Sequence, residues 1–267
     1  MTTPTQVLKS VGPKLVPFFK TVAIYFVLFI PVERPSVFAM FIKCLPIISL
    51  IFFVLLHGMS LGEEYAFSRR ILTGLLFSCL GDALLVWPHY FLHGMVAFGV
   101  AQLMYTAAFG FKPLNASLGA VLYFGCATAM VLLLPGLKGV LAVGVPLYGI
   151  LLITMAWRAI ARVQFFGDLW TWTKLCSCAG GIGFAISDIL IGFHHFHHPI
   201  PYSQALIMVT YYAAQLGIAL SVVDSKASYN KALAEAAQSA ANKQQGESSK
   251  LKSSELKVRH TISLKSH

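Results

Sequence analysis

Apolar residues in this chain come in long unbroken blocks, without alternation of apolar and polar positions, and short stretches rich in Pro, Gly, Arg and Lys separate them. A helix needs about 20 mostly apolar residues to cross a bilayer. The blocks predict eight such helices, over residues 15–31, 37–56, 71–87, 91–110, 116–134, 139–160, 173–193 and 203–223. The first is short and flanked by proline, and the third runs close to the fourth, so seven is the neighbouring count. A membrane barrel would alternate its two faces along each strand and is excluded. The predicted fold class is all-α: a polytopic membrane helical bundle of about eight transmembrane helices.

Composition agrees. Hydrophobic residues make up 57% of the 267 residues and charged residues only 11%, where a soluble domain carries about 25%. The net charge of +10 is not a nucleic-acid signal, because the cations gather in alternate loops and in the tail. Lys9, Lys14, Lys20, Arg69, Arg70, Lys112, Arg158, Arg162 and Lys174 fall on one side of the predicted bundle, against Arg34, Lys43 and Lys138 on the other. That bias predicts both termini in the cytoplasm. The N-terminus lacks an apolar core followed by a small-residue cleavage site, so insertion is expected to use the first span. Residues 1–224 read as one transmembrane domain. From about Ser225 to His267 the chain turns basic and rich in Ser, Lys and Gln, which reads as a disordered, solvated tail.

Against this background two acids are conspicuous. Asp82 lies in FSCLGDALLVW and Asp188 in GIGFAISDILIGF, whereas the other eight acidic residues fall in predicted loops or the tail. A charge in hydrocarbon is expensive and usually faces a bundle interior or a wet cavity. At 1.5 Å per residue, Asp82, Asp188 and Lys43 fall into one slab in the non-cytoplasmic half. On the fourth span Phe98, Gln102 and Tyr105 share a face, and on the eighth so do Met208, Tyr211, Tyr212 and Gln215. An Asp-bearing span is thus twice followed by one with an aromatic–Gln face, which suggests a four-plus-four parallel repeat. Two nearby carboxyls disfavour double ionisation, so one would stay protonated as a general acid while the other is an anion. The structural alternative has each Asp satisfying a helix end, a lysine or a tyrosine hydroxyl.

Other chemistry finds little support. His194, His195, His197 and His198 crowd the end of the seventh span, but no HExxH accompanies them and Pro199 follows. They read as a polar interfacial cap rather than a metal site. Cys44, Cys79, Cys126, Cys176 and Cys178 read as free thiols packed as small hydrophobes. There is no GxSxG and no P-loop.

The chain resembles a known family. GPKLVPFFK near the N-terminus, IKCLP at Lys43, GDALLVW at Asp82, YFLHGMVAFGVAQLMYTAAFG, the Trp157-Arg158 pair, AISD at Asp188 and PYSQALIMVTYYAAQLGIAL are similar to the lysoplasmalogenase family of multi-pass membrane proteins. The resemblance covers roughly residues 5–224. It implies hydrolysis of the vinyl ether bond of lysoplasmalogens in the endoplasmic reticulum membrane. Asp82 and Asp188 would be catalytic, with Lys43, Gln102, Tyr105, Tyr211, Tyr212 and Gln215 around the lysophospholipid substrate. Vinyl ethers hydrolyse through an oxocarbenium-like cation and need one acid and one anion, much as glycosides do, so no metal, nucleotide or other cofactor is called for. Lys43 would contact the phosphate or hold one Asp ionised. The alternatives are a proton-coupled transporter or lipid-binding membrane protein, and a zinc-dependent lipid amidase using the histidine cluster. The oligomeric state is left open, a homodimer included.

Overall fold

A computed structural model describes residues 4–31, 34–163 and 172–223, together with residues 230, 234, 237 and 238. It contains α1 (Pro4–Leu28), α2 (Val37–His57), α3 (Ala66–Leu84), α4 (Phe91–Phe109), α5 (Ala116–Leu133), α6 (Leu141–Ala161), α7 (Trp172–Phe196) and α8 (Ser203–Leu220), with no strand among the described residues. Seven of these helices are long and apolar enough to span a membrane. The exception is α3, whose 19 residues include Arg69, Arg70 and Asp82. The protein is a multi-pass, all-helical membrane protein. The predicted tail over 225–267 lies outside the described residues apart from those four positions, as do Glu33, Asp168 and Asp224.

Two helices differ from expectation for identifiable reasons. The sequence places the start of α1 at residue 15, yet the helix begins at Pro4 and runs through Pro13 and Pro17. Each proline removes one N–H from the ladder. The carbonyls that lose their helical donor are those four residues earlier, of Lys9 and Pro13, and spans tolerate such losses where neighbouring groups or local adjustment satisfy them. In α3 the helix starts five residues before its predicted start. Arg69 and Arg70 are kept within it because they bond to backbone: Arg69 Nη1 donates to the carbonyls of Ser60 and Gly62 at 2.8 and 2.6 Å, and Arg70 Nη1 to that of Ala107 at 2.8 Å. Beyond Leu84 the backbone tightens, with Val86 N–H reaching Ala83 and Trp87 N–H reaching Leu84.

The packing forms a ring of six helices: α2 on α3, α3 on α4, α4 on α6, α6 on α7, α7 on α8, and α8 back on α2. Outside the ring, α1 packs on α2 and α5 packs on α6. The order of neighbours among the first four helices therefore recurs among the last four. The closest pairs, α3 with α4 and α7 with α8, meet through glycine. A Cβ on Gly217 would lie 2.7 Å from the carbonyl oxygen of Cys176, and one on Gly180 would lie 2.8 Å from that of Ala214. Small residues let membrane helices approach this closely, where apolar side chains have no water to escape from.

The Trp157-Arg158 pair has a structural task. Arg158 is fully buried in α6. Its guanidinium donates to the carbonyls of Gly110, Pro113 and Leu114 at 2.6, 2.7 and 3.3 Å. It sits 5.0 Å from the Trp157 ring and 5.4 Å from that of Phe111. Trp157 Nε1 donates to Asn115 at 3.0 Å. Together they fix the α4–α5 connection, whose irregular carbonyls would otherwise go unpaired.

Candidate active site

Asp82 and Asp188 lie at matching distances along their helices. Each is sixteen residues after the helix start, from Ala66 to Asp82 and from Trp172 to Asp188, or about 24 Å along the axis. Lys43 lies six residues into α2, which runs the opposite way and so brings it to the same end of the ring.

Asp82 is 2% exposed, and its Oδ1 is 3.6 Å from Lys43 Nζ. Its Oδ2 accepts a hydrogen bond from Tyr211 of α8 at 2.6 Å. One carboxylate thus has a cation from its neighbour α2 and a phenol from across the ring. The Lys43 backbone is fixed as well, since Tyr212 donates its hydroxyl to the Lys43 carbonyl at 2.8 Å. The Tyr212 ring stands edge-on to Tyr25 with centroids 5.3 Å apart.

Asp188 has no cation partner among the described residues. Its Oδ2 accepts from the Tyr148 hydroxyl of α6 and from Gln102 Nε2 of α4, the latter at 3.2 Å. Tyr105 donates its hydroxyl to Gln215 Oε1 at 2.9 Å and lies 3.2 Å from Ser78 Oγ. Phe98 fills the remaining space, edge-on to both Phe184 and Tyr211. It presses so closely on α3 that a Cβ at Gly81 would come within 2.6 Å of its ring. Gln102 and Gln215 are both fully buried.

The eight predicted site residues all fall within the ring, from the level of Asp82 and Lys43 down to that of Tyr105 and Gln215, and not in equal roles. Tyr211 and Gln102 touch the carboxylates. Tyr105 and Gln215 bond to each other one layer away. Tyr212 holds the Lys43 backbone rather than a carboxylate. Sequence reasoning missed Tyr148, which sits in VGVPLYGILL. Its signal was a hydroxyl in mid-span, close to Pro146 and Gly149.

Two clefts lie beside these residues. The first, about 690 Å³ to its mouth, is walled by residues such as Met95, Met130, Leu152 and Phe193, with Asp188 and Tyr148 on its floor. The second, about 840 Å³ to its mouth, is lined by Tyr25, Arg34, Lys43, His195 and Gln204 along with apolar residues. Leu85, Phe91 and Ile191 line both and form the wall between them.

The histidine cluster serves the loop into α8. His194 Nδ1 accepts the Ile200 N–H at 3.0 Å, and His195 Nδ1 lies 3.1 Å from the Ile191 carbonyl while its ring stacks on Phe91. No group of three or more His, Cys, Asp or Glu side chains that would hold a metal occurs among the described residues. The five cysteines are free.

A helical membrane bundle with one buried and one half-buried carboxyl group beside a divided cleft is thus defined. The chain belongs to the YhhN family, whose model matches residues 38–222. It is 44% identical to lysoplasmalogenase TMEM86A of Bos taurus and of Homo sapiens over 228 residues, which is 85% of this chain and 95% of each relative. It is 40% identical to lysoplasmalogenase TMEM86B of Sus scrofa over 80% of this chain and 88% of that one. No solved structure matches.

Proposed function

We propose that the protein is a lysoplasmalogenase. It hydrolyses the vinyl ether bond of 1-alkenyl-glycerophosphoethanolamine or 1-alkenyl-glycerophosphocholine, releasing a fatty aldehyde and glycerophosphoethanolamine or glycerophosphocholine. The names of its relatives support this reading. The observation that carries it is the inequality of the two carboxyl groups: Asp82 has Lys43 beside it, and Asp188 faces an apolar cleft with only neutral donors.

That inequality divides the labour. A carboxyl in an apolar cleft without a cation favours its neutral form, and one paired with an ammonium favours the anion. Asp188 is the general acid and gives its proton to the β-carbon of the vinyl ether. The α-carbon becomes an oxocarbenium, which the Asp82 carboxylate stabilises. Asp82 then takes a proton from the water that attacks the α-carbon, giving a hemiacetal. In the collapse, Asp188 takes back the hemiacetal O–H proton while Asp82 protonates the departing glycerol oxygen. The C–O bond breaks and the aldehyde leaves. One water is consumed, and both carboxyls return to their starting states. Two carboxyls exchanging acid and base roles around such a cation is the logic of glycoside hydrolysis.

The working location is the endoplasmic reticulum membrane, with both termini cytoplasmic. In support, Lys14, Arg69, Arg70, Arg158, Arg162 and Lys174 gather at the end of the bundle where α1 begins. The test is aldehyde release from a lysoplasmalogen by the purified protein in detergent. Aldehyde formed in proportion to enzyme is expected. Lipid moved across a vesicle membrane with no bond broken would replace the enzyme with a transporter.

A further inference from the structure

Resting on that reading, we infer that the second cleft is a phosphate-reading site and that the lipid lies astride the wall between the clefts. Its headgroup phosphate would sit against Arg34, Lys43 and Tyr25, and its alkenyl chain in the cleft of Asp188.

Four observations carry this. First, the second cleft is lined by Arg34, Lys43 and His195, and no acidic residue lines it among the described residues. Lys43 is shared with Asp82, so Arg34 is the cation of this lining that no described acid pairs, and such a concave site attracts anions. Second, Tyr25 is 94% buried, being 6% exposed, and its oxygen accepts from Gln204 Nε2 at 3.3 Å. Gln204 Nε2 also donates to the Ile30 carbonyl at 2.8 Å. The Tyr25 hydroxyl hydrogen therefore has no acceptor among the described residues, and a buried donor without one is costly. A phosphate oxygen supplies it. Third, the neighbouring cleft is apolar except for Asp188 and Tyr148, as an aliphatic chain requires. Fourth, Leu85, Phe91 and Ile191 line both clefts, so one ligand can occupy the two with its polar–apolar junction at that wall.

The orientation agrees with the chemistry. In a lysoplasmalogen the β-carbon lies on the chain side of the ether oxygen and the phosphate lies beyond the glycerol on the other side. Asp188, in the chain cleft, meets the β-carbon. Lys43, shared between the headgroup cleft and Asp82, marks the glycerol side. Reversing the lipid would put the phosphate among Met95, Met130 and Phe193 and the chain against Arg34. A guanidinium is suited to a phosphodiester, which it can grip with two parallel donors.

The experiment compares wild type, Arg34→Gln and Tyr25→Phe on two substrates, a lysoplasmalogen and the phosphate-free 1-alkenylglycerol. Arg34 is exposed, and Phe at 25 keeps the ring that packs on Tyr212, so both variants retain the fold. Each is expected to raise KM for the lysoplasmalogen about 10- to 100-fold, the range for one lost charge-assisted hydrogen bond. The preference for the phosphate-bearing substrate should fall by the same factor, with kcat held within about twofold. A parallel binding measurement uses the non-hydrolysable 1-alkyl-glycerophosphoethanolamine, which reads the site even if no aldehyde is ever released. Weakened binding in Arg34→Gln supports the inference independently of the reaction. Unchanged substrate preference, or unchanged binding of the 1-alkyl lipid, overturns it. Inorganic phosphate at millimolar concentration is expected to leave the bound 1-alkyl lipid in place. Displacement by it would assign the cleft to a free anion instead and would overturn the headgroup assignment.

Discussion

The two halves of the ring hold their acids by the same plan and with different chemistry. In the first half, Asp82 on α3 receives Lys43 from the preceding helix α2 and Tyr211 from α8 of the other half. In the second, Asp188 on α7 receives Tyr148 from the preceding helix α6 and Gln102 from α4 of the other half. Lys43 is the seventh residue of α2 and Tyr148 the eighth of α6. At nearly the same place, one half carries an ammonium and the other a phenol. The first stabilises a carboxylate. The second donates a hydrogen bond without adding charge. On the mechanism proposed above, the two similar frameworks give an anion and an acid, which a reaction through an oxocarbenium needs and which a symmetric pair would not supply.

The comparison is easiest to break at the acids themselves. Asp188→Asn and Asp82→Asn are each expected to lower kcat for aldehyde release by about 10²–10⁴-fold, the usual range for general acid–base groups, with the protein still folded. Near-wild-type turnover in either variant would remove that residue from the mechanism. Next is Lys43→Met. It leaves the buried Asp82 without its cation, so the melting temperature in detergent should fall. The double variant Lys43→Met with Asp82→Asn should recover much of that stability and none of the activity. Equal melting of the single variant and wild type would show that Lys43 does not neutralise Asp82.

Smaller effects test the difference between the halves. A hydrogen bond to a charged group contributes about 1.5–3 kcal/mol and one to a neutral group about 0.5–1.5 kcal/mol. Tyr211→Phe, which strips a donor from an anion, should therefore reduce kcat more than Tyr148→Phe, which strips one from a neutral acid. The reverse order in steady-state kinetics would exchange the roles of Asp82 and Asp188. The smallest expected effect is that of a chelator. If the carboxyl pair supplies the proton chemistry, EDTA and metal-free buffer should leave aldehyde release unchanged, whereas stoichiometric zinc lost together with activity would return the histidine cluster to consideration.

Much of the site was legible because membrane chemistry makes its parts conspicuous. An acid in FSCLGDALLVW or a lysine in IKCLP costs enough in hydrocarbon to need a reason. The aromatic–Gln faces of α4 and α8 were readable from helical spacing, and Tyr211 and Gln102 do reach the acids. Tyr148 was not readable in the same way, because a single hydroxyl in an apolar span costs far less than a charge and singles itself out weakly. Arg34 escaped notice because at a helix–loop boundary it looks like any cation of an interface.

The sequence by itself determined the all-helical membrane architecture and nearly all the helices. The physical reason is that a bilayer imposes a length and a period on each segment independently of its neighbours. Tertiary structure alone decided the partnerships. Helical spacing predicts Lys43, Asp82 and Asp188 in one layer, but only rotation and packing within the ring gave Lys43 to Asp82, paired Asp188 with Tyr148, and turned Tyr212 toward a backbone carbonyl. It also let α3 begin at Ala66, because Arg69 and Arg70 found carbonyls on the neighbouring loop and on α4 that no local pattern announces. These choices depend on side chains far apart in the chain, whose contacts carry no signature in the periodicity of either segment.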